Sequence, residues 1–138
     1  TIFNNKNISI INDSKSTSYS SSLEMLKKSN SIYWLLGGIP KKEDKLNLSK
    51  FYYKNIKGFI FGKNQKKFSS DLKNKIKLKR YSNLKEALNG VFKDIKKDNS
   101  IKKTILFSPA AASFDSFKNF EDRGLYFNKL IKRYINVR

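Results

Sequence analysis

Ser31-Ile32-Tyr33-Trp34-Leu35-Leu36-Gly37-Gly38-Ile39-Pro40 decides the fold. Its first six residues carry no charge and are dominated by aromatic and branched side chains, and the run is stopped by a glycine pair and a proline. A run of that length with that punctuation reads as a buried strand entering a tight loop. Upstream, the apolar run Ile8 to Ile11 ends in the polar cluster Asn12-Asp13-Ser14-Lys15-Ser16-Thr17, and Leu23, Met25 and Leu26 then carry a short helical pattern. Downstream, Leu46, Leu48, Phe51, Tyr52 and Ile56 suggest a helix, and Gly58-Phe59-Ile60-Phe61-Gly62 a third strand. A polar helix anchored by Phe68 and Leu72 leads to Ile76 to Tyr81, whose alternation suits a strand with one wet face. Asn83 with Glu86 forms a candidate capping box, and Leu84, Leu88, Val91 and Ile95 repeat at helical spacing behind it. Thr104 to Phe107 is an apolar strand entering Ser108-Pro109-Ala110-Ala111-Ala112-Ser113. A last amphipathic segment carries Phe117, Phe120, Gly124, Phe127, Ile131 and Tyr134 on one stripe. Strands alternating with helices imply an α/β sandwich with a mostly parallel sheet, in which ligands sit at the carboxyl ends of strands.

Composition narrows the chemistry. The chain has 138 residues, 38% hydrophobic and 14% aromatic, which is enough for one core and one domain. It has no cysteine and no histidine, so disulfides, thiolate metal sites, the common zinc arrangements and Ser/His or Cys/His nucleophile pairs are excluded. No apolar run approaches a membrane span, and Thr1 opens a short strand-like stretch instead of a signal core, so the chain reads as soluble and cytoplasmic. Lys and Arg number 30 against 11 Asp and Glu, a net charge of +19. Lysines occur in nearly every segment, which points to a basic shell with weak, nonspecific affinity for nucleic acid rather than to a binding stripe.

The polar or glycine-rich loops after Ile11, Leu36 and Phe107 concentrate the useful groups. They offer Asp13, Ser14, Lys15 and Thr17; then Gly37, Gly38 and Lys41; then Ser108, Ser113, Asp115, Lys118 and Asn119. Ammonium groups pair with carboxylates, hydroxyls donate, and amides at a helix start favour anions, so the set suits a small acidic ligand. Each piece also has a structural reading: a braced turn at Asn12-Asp13-Ser14, an ordinary loop at the glycine pair, a helix cap at Ser113 or Asp115. Gly58 to Lys63 is one residue short of a phosphate-binding loop, with Asn64 where Ser or Thr would hold magnesium. Glu43 and Asp44 flanking Lys41 and Lys45, and Glu121 and Asp122 flanking Arg123, read as solvated surfaces rather than catalytic pairs.

Three segments taken together go further. Asn12 to Thr17, Gly37-Gly38-Ile39-Pro40-Lys41-Lys42-Glu43-Asp44, and above all Ser108-Pro109-Ala110-Ala111-Ala112-Ser113-Phe114-Asp115-Ser116-Phe117-Lys118-Asn119-Phe120-Glu121-Asp122-Arg123-Gly124-Leu125-Tyr126-Phe127 resemble the carboxyl-terminal domain of the D-glutamate-adding Mur ligases of peptidoglycan synthesis. The resemblance runs over essentially the whole chain in order. It implies a three-layer, Rossmann-like fold over residues 1–138, with an amino-terminal UDP-binding domain and a central ATPase domain lying outside this sequence. It implies ATP and Mg2+ as cofactors, bound mainly by that central domain, and D-glutamate, ATP and UDP-N-acetylmuramoyl-L-alanine as partners of a monomeric enzyme. The isolated domain is expected to be inactive.

Carried over residue by residue, the resemblance places Lys41 and Thr17 on one D-glutamate carboxylate, and Ser113 and the backbone amide of Phe120 on the other. Asp13 and Lys15 match positions near the nucleotide. Two rivals remain: a stand-alone basic α/β nucleic-acid-binding module, and the equivalent domain of a ligase that extends folate with glutamate. The long segment from Ser108 to Phe127 favours the muramoyl ligase.

Overall fold

Side chains in the central strands alternate strictly between two cores, which is why Ile32 to Leu36 needs no polar residue. The computed structural model describes residues 3–28, 31–113 and 117–136. Its elements run β1 (Phe3–Asn4), β2 (Ile8–Asn12), α1 (Tyr19–Leu26), β3 (Ile32–Gly37), a 3-10 helix (Lys50–Asn55), β4 (Ile56–Phe61), α2 (Lys66–Leu72), β5 (Lys77–Tyr81), α3 (Leu84–Ile95), β6 (Lys103–Phe107) and α4 (Phe120–Asn136). Six strands form one sheet in the order β1-β2-β6-β3-β4-β5, parallel except where β1 pairs antiparallel with β2. Tyr33, Leu35, Phe59, Phe61, Ile105 and Phe107 face the core that α3 and α4 cover. Trp34, Leu36, Ile60 and Leu106 face the one beneath α1 and α2. The expected three-layer α/β sandwich is therefore present.

The chain leaves β2 over α1 for β3, steps outward to β5, and returns over α3 to insert β6 between β2 and β3. Outward and return crossovers of one hand must put their helices on opposite faces, as observed. The insertion brings the loops after β2, β6 and β3 side by side at one end of the sheet.

Two expectations need correction. The helix expected over Leu46 to Ile56 is only a 3-10 turn, capped by the Ser49 hydroxyl. Leu46 and Leu48 are buried at a spacing of two, the mark of an extended segment, and Ile56 is drawn into the ladder opposite Ile32. The inward stripe of α4 is corrected at one position and widened: Phe120 is exposed, while Gly124, Phe127 and Ile131 are buried, Phe117 and Tyr134 pack against the core as expected, and Arg123 and Leu130 join them. For α3, Asn83 Oδ1 accepts from Glu86 N at 2.9 Å, as the capping pattern implied. The reciprocal capping box belongs to α1, built by Ser18 and Ser21. Among the described residues no helix is long and apolar enough to cross a membrane.

Candidate functional site

At the end of β2 the Asp13 N–H donates to Phe107 O at 2.7 Å, and the Asp13 carbonyl accepts from Ser16 N at 3.0 Å, turning the chain toward α1. Asn12 Oδ1 accepts from Ser14 N at 3.1 Å, the braced turn that the composition allowed. The second and third loops are zipped together. Gly37 N donates to Pro109 O at 3.1 Å, and Ile39 and Ala112 exchange backbone bonds of 2.8 and 3.0 Å. Gly38 has φ +127°, and a Cβ there would stand 2.2 Å from Ala112 O, so glycine is what permits the approach.

Arg123 ties the third loop to the first. Its fully buried guanidinium donates from Nη1 to Ala111 O at 2.8 Å and from Nη2 to Ser14 O at 2.8 Å and Ser16 O at 3.4 Å. This overturns the solvated-surface reading of Arg123. The acidic neighbours Glu121 and Asp122 are exposed, whereas Arg123 shares the inward stripe with Phe127, Leu130 and Ile131 at spacings of four, seven and eight. That periodicity was the signal that could have found it. Gly124 lets α4 close on the first loop, since a Cβ there would stand 2.4 Å from Ser14 Oγ.

Beneath the loops runs a chain of hydroxyls. Ser108 Oγ donates to Asp13 Oδ2 at 2.7 Å. A hydroxyl has one proton, so with Asp13 ionised the 2.5 Å bond between Ser22 and Ser108 is donated by Ser22, and the 2.7 Å bond between Ser16 and Ser22 by Ser16. The Ala110 amide, on a residue held at φ 58°, donates to Ser16 Oγ at 3.2 Å. Burial pushes the Asp13 carboxyl above its ordinary range, opposed by the Ser108 hydroxyl and the nearby Lys15 ammonium.

The candidate residues fall at this end of the sheet but not in one cavity. Thr17 is half-buried between Ser16 and the Ser18 cap, and Lys15 is exposed. Lys41 is exposed and lines a shallow cavity of about 470 Å³ with Ser18, Ser20, Lys42, Glu43 and Asp44, without Thr17 or Ser113. Ser113 is buried, one residue past the Ile39–Ala112 bridge, and its carbonyl accepts from Phe117 N at 2.8 Å. Asn119 Oδ1 caps Asp122 N at 2.8 Å, so Phe120 opens α4 and its amide is one of the first-turn donors that lack an intrahelical acceptor. Asp115 and Phe114 lie outside the described residues. The solvated reading of Asp44 is also corrected: its Oδ2 accepts from Tyr19 N at 2.7 Å, pinning the second loop to the start of α1.

Among the described residues cations gather at more than one face. Lys50, Lys54, Lys57, Lys73, Lys75, Lys77 and Arg80 line a cavity of about 990 Å³ at the β5 edge, but Lys85, Lys93, Lys96 and Arg133 line another between α3 and α4.

The chain is 41% identical over 128 residues to the UDP-N-acetylmuramoylalanine--D-glutamate ligase of Rickettsia prowazekii (strain Madrid E), and 36% identical over 128 residues to that of Wolbachia sp. subsp. Brugia malayi (strain TRS). It is 32% identical over 118 residues to the enzyme of the same name from Agrobacterium fabrum (strain C58 / ATCC 33970). These alignments cover 93%, 93% and 86% of this chain and 29%, 26% and 25% of the relatives, so the chain spans less than a third of the length of the curated relatives it matches. No protein-family model matches it.

Proposed function

We propose, from the premise that this chain belongs to the UDP-N-acetylmuramoylalanine--D-glutamate ligase family as a domain-length segment of such an enzyme, that it presents D-glutamate to the activated carboxylate of UDP-N-acetylmuramoyl-L-alanine. The observation that carries this reading is the locking of three loops at the carboxyl end of a parallel sheet into one frame by Arg123 and the Ile39–Ala112 bridge. Lys41 and Thr17 hold one carboxylate of the amino acid; the Ser113 hydroxyl and the Phe120 amide hold the other. Asp13 and Lys15 face the nucleotide, where the half-buried Asp13 carboxylate accepts from ribose hydroxyls. The contribution to rate is proximity: an amine fixed by both carboxylates reaches the acyl carbon in one orientation as domains close.

ATP and Mg2+ supply the activation of the acyl group. Among the described residues no group of three or more carboxylates gathers to hold a metal, and Gly58 to Phe61 is committed to the β4 ladder. Binding of Mg2+-ATP is assigned mainly to the central domain of the full-length cytoplasmic enzyme, and the isolated chain is expected to be inactive.

The test is Lys41→Ala in the full-length ligase. Charge-assisted hydrogen bonds are worth about 1.5 to 3 kcal/mol, so the Michaelis constant for D-glutamate should rise on the order of ten- to a hundredfold while that for ATP stays put. Equal rises in both constants, or no change in either, would return Lys41 to surface solvation.

A further inference from the structure

Asp44 is fastened on two sides. Its carboxylate Oδ2 accepts from Tyr19 N at 2.7 Å, and its carbonyl accepts from Lys67 Nζ at 2.6 Å. Lys67 in turn pairs with Asp71 at 2.6 Å, and Asp71 Oδ2 accepts from the Tyr19 hydroxyl at 2.8 Å. The result is a closed ring linking α1, α2 and the loop after β3. The Lys67 ammonium also lies 5.4 Å from the centre of the Tyr19 ring, which is itself packed edge-on against Trp34 and Phe68. This ring rests on the hydrophobic core at Tyr19 and reaches the surface at Asp44.

The placement of that anchor is what gives it a consequence. Asp44 N donates to Lys41 O at 3.1 Å, so the anchored residue closes the turn that begins at Lys41. Tyr19, the other end of the anchor, is two residues after Thr17, and the intervening Ser18 is fixed as the cap of α1. One bond therefore joins the chain segment bearing Thr17 to the turn bearing Lys41. Without it, the turn bearing Lys41 would keep the Ile39–Ala112 bridge and the Lys67 bond to the Asp44 carbonyl but lose its direct tie to the segment bearing Thr17.

We propose that Asp44 is a positioning residue, whose two-sided anchorage, to the Tyr19 amide through its carboxylate and to the Lys67 ammonium through its carbonyl, sets the spacing between the Lys41 ammonium and the Thr17 hydroxyl that share a D-glutamate carboxylate. This rests on the assignment of Lys41 and Thr17 under the proposed function. Asp44 touches no substrate itself. A fixed spacing removes the cost of ordering the loop when the amino acid arrives, so the effect belongs to binding and not to the chemical step.

The experiment is steady-state kinetics on the full-length ligase with Asp44→Ala, Asp44→Asn, Lys41→Ala and the double variant Asp44→Ala/Lys41→Ala. Asp44→Ala should raise the D-glutamate constant roughly tenfold, with kcat and the ATP constant within twofold of wild type. Asp44→Asn retains an oxygen for the Tyr19 amide and should recover most of that loss. In the Lys41→Ala background the effect of Asp44→Ala should largely vanish, because nothing is left to position. If Asp44→Ala does not fold, Lys67→Met, which removes the strap to the Asp44 carbonyl and Asp71 together with the ammonium over the Tyr19 ring and leaves the Tyr19 amide bond in place, should raise the D-glutamate constant several-fold. An unchanged D-glutamate constant in Asp44→Ala, or in Lys67→Met where that variant replaces it, beside a raised one in Lys41→Ala overturns the positioning role and leaves the site assignment standing. Fully additive effects of the two substitutions overturn it as well. No effect of Lys41→Ala removes the site assignment and this inference with it.

Discussion

Each end of the parallel sheet carries a carboxylate that receives hydroxyl bonds, and the two are perturbed in opposite directions. At the amino end, Asp98 Oδ2 accepts from Ser31 Oγ at 2.8 Å and Tyr33 Oη at 2.6 Å, and its Oδ1 accepts from Ser100 N at 2.8 Å. Burial pushes the Asp98 carboxyl up, but these donors outweigh it and hold the group well below the usual carboxylate range. At the carboxyl end, Asp13 accepts from Ser108 Oγ alone among the described residues, and there burial wins. Asp98 is a satisfied strut that joins the start of β3 to the segment after α3. Asp13 keeps acceptor capacity in reserve, which is what a residue facing ligand hydroxyls requires.

The largest expected effect lies at the carboxyl end and does not involve a carboxylate. Arg123→Met keeps the length of the side chain but withdraws the donors from the Ala111, Ser14 and Ser16 carbonyls, a loss of about 3 kcal/mol or more in urea denaturation. If it cost less than removal of Asp98, the loops would not be held as one frame and the contrast between a braced site and a simple strut would break. Next in size is Asp98→Ala, expected to cost about 1 to 2 kcal/mol at neutral pH, the lower part of the range for charged hydrogen bonds because the group is partly exposed. Its folded-state pKa is depressed, so its contribution is present above the unfolded carboxylate value, near pH 4, and is lost as pH falls through the folded value. Asp98→Asn should therefore flatten the acid limb of the stability profile below about pH 4. An acid limb unchanged in Asp98→Asn would mean that the strut does not titrate with folding.

These two residues also mark what a sequence can disclose. The strands at Ile32, Gly58 and Thr104 were legible because a chain buried on two faces excludes charge, the strand at Ile8 because its isoleucines run up to a polar cluster, and α3 because its apolar residues recur at helical spacing under an Asn83 cap. The segment from Leu46 to Ile56 misled because its apolar residues satisfy a helical period and a period of two at once, and pairing of Ile56 with Ile32 decided between them. Arg123 was hidden by its exposed acidic neighbours, since charge clusters usually mark solvated surface and the three carbonyls awaiting it come from loops distant in sequence. Asp44 was hidden for the same reason: its partner amide is 25 residues away. The three loops could be placed at one end of the sheet from strand order alone, whereas the zip between Ile39 and Ala112 depends on Gly38 and could not be foreseen from the glycine pair itself.

The smallest expected effect on stability is the one that sharpens the comparison most. Ser108→Ala removes the donor to Asp13 and the acceptor of Ser22, while the Trp34 Nε1 bond to the Ser108 carbonyl at 2.7 Å survives because it uses backbone. Replacing one buried hydroxyl by hydrogen costs about 1 kcal/mol. The titration of Asp13 should respond more clearly than the stability. The Ser108 hydroxyl stabilises the ionised form, so its loss leaves burial opposed only by Lys15, and the Asp13 midpoint should move up. Asp98, with none of its donors touched, should not move. Carboxyl-detected NMR titration reads both groups in one sample, so Asp98 serves as the internal control. A falling or static Asp13 midpoint in Ser108→Ala would show that the serine is not the donor holding the carboxylate down, and the reserve of acceptor capacity at the carboxyl end would have to be argued from another residue.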